Sequence, residues 1–128
     1  MSSERKHLTT RLDDLCREIT RLIYDNRCCR CGKYIEGSDS HPAHIVAKGN
    51  GASKRRFDLM NIILLCLHCH RKWHDSWTEV ADWYYKAFAS RDSYLDKYRG
   101  KVNKISTQEM KDLVEEYKLK LKELLQEK

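Results

Sequence analysis

Apolar residues near the amino terminus recur at steps of three and four: Leu8, Leu12, Leu15, Ile19, Leu22 and Ile23. That spacing predicts one face of a helix ending near Asn26. A second stripe, Met110, Leu113, Val114, Tyr117, Leu121, Leu124 and Leu125, follows Ser106-Thr107-Gln108-Glu109, which has the pattern of a capping box. Between the two stripes the pattern changes. Gly32, Gly37, Ser38, Asp39 and Ser40 read as turns. His44 to Ala47 and Asn61 to Leu65 predict short strands, joined by a loop from Lys48 to Arg56 that contains Gly49, Asn50 and Gly51. Cys66 to Ser76 reads as a turn entering a helix, and Trp83, Tyr84, Ala87 and Phe88 as a helix with an aromatic face. The expected fold class is α+β and mainly helical, with a small central module flanked by amino- and carboxyl-terminal helices. The stripes have two readings. Both helices pack on the module and complete its core, or they pair with a second copy as a coiled coil, for which the stripe is short.

A chain of 128 residues suits one domain, divided here into a helix (1–27), a central module (28–76) and a helical extension (77–128). Charged residues make up 34% and hydrophobic ones 41%. The longest apolar run, Ile62 to Leu67 with Cys66 inside it, is too short to span a bilayer, so no membrane association is expected. The amino terminus lacks the apolar stretch of a secretory signal, which together with the cysteine spacing points to a reducing, cytoplasmic location. The net charge of +6 is uneven. Between His41 and His74 six bases (Lys48, Lys54, Arg55, Arg56, Arg71 and Lys72) face one acid, Asp58, whereas from Thr107 onward five bases face six acids. Positive charge gathered in one segment suits a polyanion such as nucleic acid, although four zinc-bound thiolates would offset part of it.

The segment also carries chemistry. Cys28-x-x-Cys31 and Cys66-x-x-Cys69 have 34 residues between them, and two such turns close a tetrahedral thiolate site for Zn²⁺. Cys29 gives the shorter Cys-x-Cys spacing and reads as a bystander. Cys16, beside the apolar face of the first helix, reads as core, and His68 inside the second pair is an alternative ligand that four cysteines make unnecessary. His70 and His74, four apart in the predicted helix, share a face and suit a second metal site.

These residues resemble the HNH nucleases with the ββα-metal, zinc-containing treble-clef motif. The resemblance covers Cys28 to His74 and rests on His44-Ile-Val-Ala-Lys-Gly-Asn-Gly, Asn61-Ile-Ile-Leu-Leu-Cys and Cys69-His-Arg-Lys-Trp-His74, with intervals of seventeen, nine and four residues along His44, Asn61, His70 and His74. It implies that His44 is the general base and that Asn61 holds the loop between the strands and so orients the base. It also implies that His70 and His74 bind a catalytic divalent cation such as Mg²⁺, Mn²⁺, Ni²⁺ or Zn²⁺, and that the four cysteines bind a structural zinc. In one respect the chain departs from the pattern. The residue before the base, usually a metal-binding Asp, Glu or His, is Ala43. His41, Asp39 or water is left to supply that ligand, and His41 is preferred because residues two apart on a strand share a face.

The expected function is metal-dependent hydrolysis of DNA phosphodiester bonds, with Lys48, Lys54, Arg55, Arg56, Arg71 and Lys72 meeting phosphates. The alternative is a non-catalytic zinc module that binds nucleic acid, which would have no use for His44, Asn61, His70 and His74 together. A rubredoxin-like electron carrier is a third reading, and such a protein would be red. Monomer and homodimer are both open.

Overall fold

The computed structural model describes residues 2–127. Helix α1 (Ser3–Ile23) starts at Ser2, whose hydroxyl accepts from the Arg5 N–H at 3.2 Å. It stops where Asp25 and Asn26 take positive φ, 53° and 56°, a left-handed conformation that Asp and Asn tolerate better than other side chains. Strand β1 (His41–His44), the one-turn helix α2 (Lys54–Phe57), strand β2 (Ile62–Leu65) and helix α3 (Leu67–Asp75) follow. After Ser76 come α4 (Trp77–Ala87), α5 (Ala89–Leu95) and the long carboxyl-terminal α6 (Thr107–Glu127). The chain is thus α+β and mainly helical, as its patterning predicts.

The strands pair antiparallel, with His41 opposite Leu65 and His44 opposite Ile62. The first strand therefore lies three residues earlier than the hydrophobic pattern suggests, and it contains Pro42. A proline removes a ladder donor, yet here nothing is lost. The Ile45 N–H donates to the Asn61 carbonyl at 2.9 Å, so by alternation residues 43/63 and 41/65 are hydrogen-bonded pairs and Pro42/Leu64 is not. The Leu64 carbonyl points the other way and accepts from Cys29 N–H at 2.9 Å. Asn61 itself ends a short 3₁₀ turn (Leu59–Asn61) instead of opening the second strand.

All four residues of β2 are buried, at most 2% exposed. Both faces are covered, which explains a continuous Ile-Ile-Leu-Leu run in place of alternation. Ile62 joins a cluster with Leu12, Leu15, Cys16 and Ile19 of α1, Phe57 of α2, and Met110, Val114 and Tyr117 of α6. Ile63, Leu64 and Leu65 join a second with Ala43, Trp73, Val80, Tyr84 and three of the paired cysteines. The two terminal stripes accordingly cover each other within one chain, leaving Leu119 and Leu125 on the outside. The predicted capping box forms in full: Glu109 N–H donates to Ser106 Oγ at 3.0 Å and Ser106 N–H to Glu109 Oε1 at 2.9 Å. Tyr94 and Tyr98 donate to Asp58 Oδ2 at 2.6 and 2.5 Å and tie α5 and the turn after it to the 3₁₀ turn. No helix among the described residues is long and apolar enough to cross a membrane.

Leu12 is fully buried between α1 and α6. Leu12→Ala should cost about 2–5 kcal/mol and lower the thermal midpoint by several degrees, whereas Leu125→Ala on the exposed flank should leave it unchanged. Circular dichroism melts of both variants check this.

Candidate metal centre and active site

The first cysteine pair sits on a tight hairpin. Cys28 N–H donates to the Lys33 carbonyl at 2.9 Å, Gly32 N–H donates to the Cys28 carbonyl at 2.8 Å, and Arg27 bridges Tyr34. Gly32 turns this corner at φ +78°, where a side chain would be strained. The second pair sits at the start of α3. Cys66 is the N-cap, and its Sγ accepts from the Cys69 N–H at 3.4 Å. The four sulfurs lie within 4.8 Å of one another, with Cys31 and Cys66 3.9 Å apart. Four sulfurs around one zinc at about 2.3 Å stand about 3.8 Å from each other, so the donor set and its spacing fit that ion.

Burial opposes charge on Cys28, yet the backbone N–H groups of Cys31, Cys66 and Arg30 outweigh it and draw its pKa down to about 7. Burial pushes Cys31 and Cys69 upward, the latter against the Arg30 guanidinium 3.5 Å from its sulfur. One sulfur ionising readily beside others that resist is what like groups in one site do, and a bound cation removes the conflict. Cys29 and Cys16 stand outside the cluster, and burial lifts each to about 12. His68 is exposed and also lies outside it.

The histidines form a chain. His41 Nε2 donates to the Ser38 carbonyl at 2.8 Å, which leaves its Nδ1 as acceptor, 3.1 Å from His70 Nδ1. On its other side His70 Nε2 is 3.0 Å from His74 Nε2. Strand alternation puts positions 41 and 43 on one face. There the Ala43 methyl is buried in the core, while His41 reaches α3 in its place. Because His70 meets its two neighbours through different nitrogens, the three rings do not converge on one point. The four cysteines are the one such converging group among the described residues, and a three-imidazole site needs one ring to turn. Asp39 is committed elsewhere: its carboxylate accepts from Leu67 N–H at 2.8 Å and pairs with Lys33 at 2.9 Å. Lys33 first, and then that N–H, hold it below the usual carboxylate range.

Asn61, fully buried, staples the loop between the strands. Its Oδ1 accepts from Val46 N–H at 2.7 Å, and its Nδ2 donates to the carbonyls of Val46 at 2.8 Å and Arg55 at 2.9 Å. The loop so held brings the Arg56 carbonyl to 2.9 Å from His44 Nε2. A carbonyl only accepts, so Nε2 carries the proton and Nδ1 is bare. Burial lowers the His44 pKa, partly opposed by that hydrogen bond. His44, His70 and His74 line one cleft of about 720 Å³, with Lys48, Gly49 and Asn50 on its rim.

Residues 28–76 match the family model described as HNH endonuclease. The chain carries an HNH domain. No curated protein and no solved structure matches it.

Around the HNH domain, four of the six predicted phosphate-binding bases have partners within the protein. Arg56 makes a two-pronged pair with Asp13 of α1, at 2.7 and 3.0 Å. Arg55 holds the Ala47 carbonyl and Asn103 Oδ1, both at 2.8 Å. Lys54 pairs with Glu109 at 3.5 Å and Lys72 with Glu79. Among the described residues, Lys48 and Arg71 make no ion pair or side-chain hydrogen bond and are exposed. The sequence reading missed Asp13 and Arg17, which enter the cleft from α1, and Trp73, which walls it. Only the buried register of Trp73 beside His70 and His74 was a usable signal, because nothing local to α1 says where its polar edge points.

One zinc per chain is expected by elemental analysis. Cys66→Ser would remove a zinc ligand while its hydroxyl can still cap α3, and it should give an unfolded product, since structural zinc contributes directly to folding. Cys29→Ser should keep both zinc and fold.

Proposed function

We propose that this chain is a metal-dependent HNH endonuclease that hydrolyses phosphodiester bonds in DNA, with His44 as the general base. The observation that carries this is the His44 ring, which lines the cleft shared with His70 and His74 and whose Nε2 proton is held by the Arg56 carbonyl, leaving Nδ1 bare. A depressed pKa keeps the ring neutral near neutral pH, the state a base needs. His44 Nδ1 takes a proton from water as the water oxygen bonds to phosphorus and the bond to the leaving oxygen breaks. His70 and His74, with His41 in place of the ligand absent at Ala43, are the residues that would hold the divalent ion. That ion, when bound, supplies a Lewis acid against charge growing at the phosphate. Imidazole donors suit Zn²⁺ or Ni²⁺ better than Mg²⁺. Asn61 keeps the loop and its carbonyl in place, while exposed Lys48 and Arg71 are left for phosphate contacts that position the strand without reading bases. Thiolates held by zinc suit a reducing compartment, the cytoplasm.

One observation favours a second reading, a zinc module that binds nucleic acid without cutting it: the position beside the base is a buried methyl, Ala43. Nicking of supercoiled plasmid with Mg²⁺, Mn²⁺, Ni²⁺ or Zn²⁺, with and without chelator, separates the two. His44→Ala should lose about 10²–10⁴ in rate and keep zinc and DNA binding. His41→Ala should cut poorly at limiting metal and recover partly in excess. Folded, zinc-loaded protein that nicks with none of these ions establishes the binding reading.

The pH profile follows from the direction of the His44 shift. A base works unprotonated, and its folded pKa lies below the ordinary value of about 6.5. The rate should therefore hold through neutrality and fall only as pH drops below that value. A decline already under way above pH 7 would give the role to another group.

A further inference from the structure

We propose that Asp13, on α1 and outside the HNH domain, is a positioning residue for His44, acting through Arg56. The inference rests on His44 being the base of a nuclease, and it makes the catalytic centre larger than the domain that names it. The contacts form a relay: the Asp13 carboxylate grips the Arg56 guanidinium by two hydrogen bonds of 2.7 and 3.0 Å, and the carbonyl of the same Arg56 receives the His44 Nε2 proton at 2.9 Å. The pair is shielded, with side-chain exposures of 12% for Arg56 and 26% for Asp13. It is therefore less screened than an ordinary surface ion pair, and the two-pronged geometry fixes direction as well as distance.

The Arg56 carbonyl needs such an anchor. It belongs to α2, a helix of one turn, and a single turn has little stability of its own. Among the contacts from outside α2 that hold residues 55 and 56, Ser53 Oγ accepts from the Arg56 N–H at 3.2 Å, Asn61 takes the Arg55 carbonyl at 2.9 Å, and Asp13 takes the Arg56 side chain. The first two come from within the HNH domain. Asp13 ties Arg56 itself to α1, whose Cys16 and Arg17 line the same cleft, one residue before the Phe57 carbonyl that meets the Cys16 thiol at 3.7 Å. Its charge has a second effect. When His44 accepts a proton, the nearby guanidinium opposes the new positive charge and the Asp13 carboxylate offsets it. With Asp13 removed, the ring loses an anchor and gains an uncompensated cation beside it.

The test compares wild type, Asp13→Ala and the near-isosteric Asp13→Asn, with kcat and KM for plasmid nicking measured alongside the imidazole ¹⁵N resonances of His44, assigned with His44→Ala. Zinc content and helical circular dichroism should be unchanged. In Asp13→Ala, kcat should fall roughly tenfold to a hundredfold with KM unaltered. The Nδ1 and Nε2 resonances, well separated for a ring held in one tautomer, should move toward each other. Asp13→Asn should show the same changes to a smaller degree, and it carries the test if the alanine variant does not fold. Unmoved His44 resonances in a folded variant, or an unchanged kcat, overturn the proposal. If wild type cuts nothing, the nuclease reading fails, and the resonances alone still decide whether Asp13 positions the ring.

Discussion

Cys66 Sγ takes part in two structures at once, and the site is built outward from that atom. It is one of four sulfurs gathered within 4.8 Å, and it accepts the N–H of Cys69 as the cap of α3. An ion held there ties residues 28–31 to residues 66–69 and sets the first turn of the helix. Position on a helix is periodic, so fixing the first turn also fixes where His70 and His74 stand one and two turns on. Cys29, between the first pair, adds a backbone bond to Leu64. The knuckle thereby also grips the buried strand. Cysteine cluster, helix and sheet share one set of constraints.

A second constraint works through carbonyl oxygens. Asn61 is buried without an apolar contribution to make, and it satisfies its amide on the backbone of the loop it faces. Leaving such a group unpaired in the interior is costly, so the loop is held in the conformation that satisfies it. One product of that conformation is the Arg56 carbonyl, which decides the tautomer of His44. The proton position on a ring that lines the cleft thus depends on the side-chain amide of Asn61.

The terminal helices complete this arrangement physically. Phe57, next to Arg56, is fully buried among α1 and α6, and its carbonyl accepts from Tyr117 at 2.5 Å and from the Cys16 thiol at 3.7 Å. Packing of the two long helices therefore helps determine where α2 sits, and α2 carries the carbonyl that meets His44. A module of this size has little core of its own, and the second hydrophobic cluster comes largely from outside it.

Much of this was legible in the chain. Ligand spacing, helical stripes, the capping box and the i, i+4 histidines are properties of near neighbours, and near neighbours are what a sequence displays. Both cysteine pairs, the two terminal helices, the buried second strand and the burial of Cys16 follow from such patterns. Partner choice is different, because it depends on which distant group folding brings within about 3 Å. Arg55 and Arg56 read as part of a basic patch, but tertiary packing set Ala47 and Asn103 against the first and Asp13 against the second. Asp39 and His41 read as rival ligands, but Asp39 was claimed by the Leu67 amide and Lys33 while His41 was turned toward His70. Pro42 concealed a strand whose pairing register alone makes a missing donor harmless. Sequence by itself determined the pairing of the four cysteines and the helix faces, since periodicity and spacing are local. Only tertiary structure decided which charges stay free and which nitrogen of His44 is bare, since those depend on contacts between residues far apart in the chain.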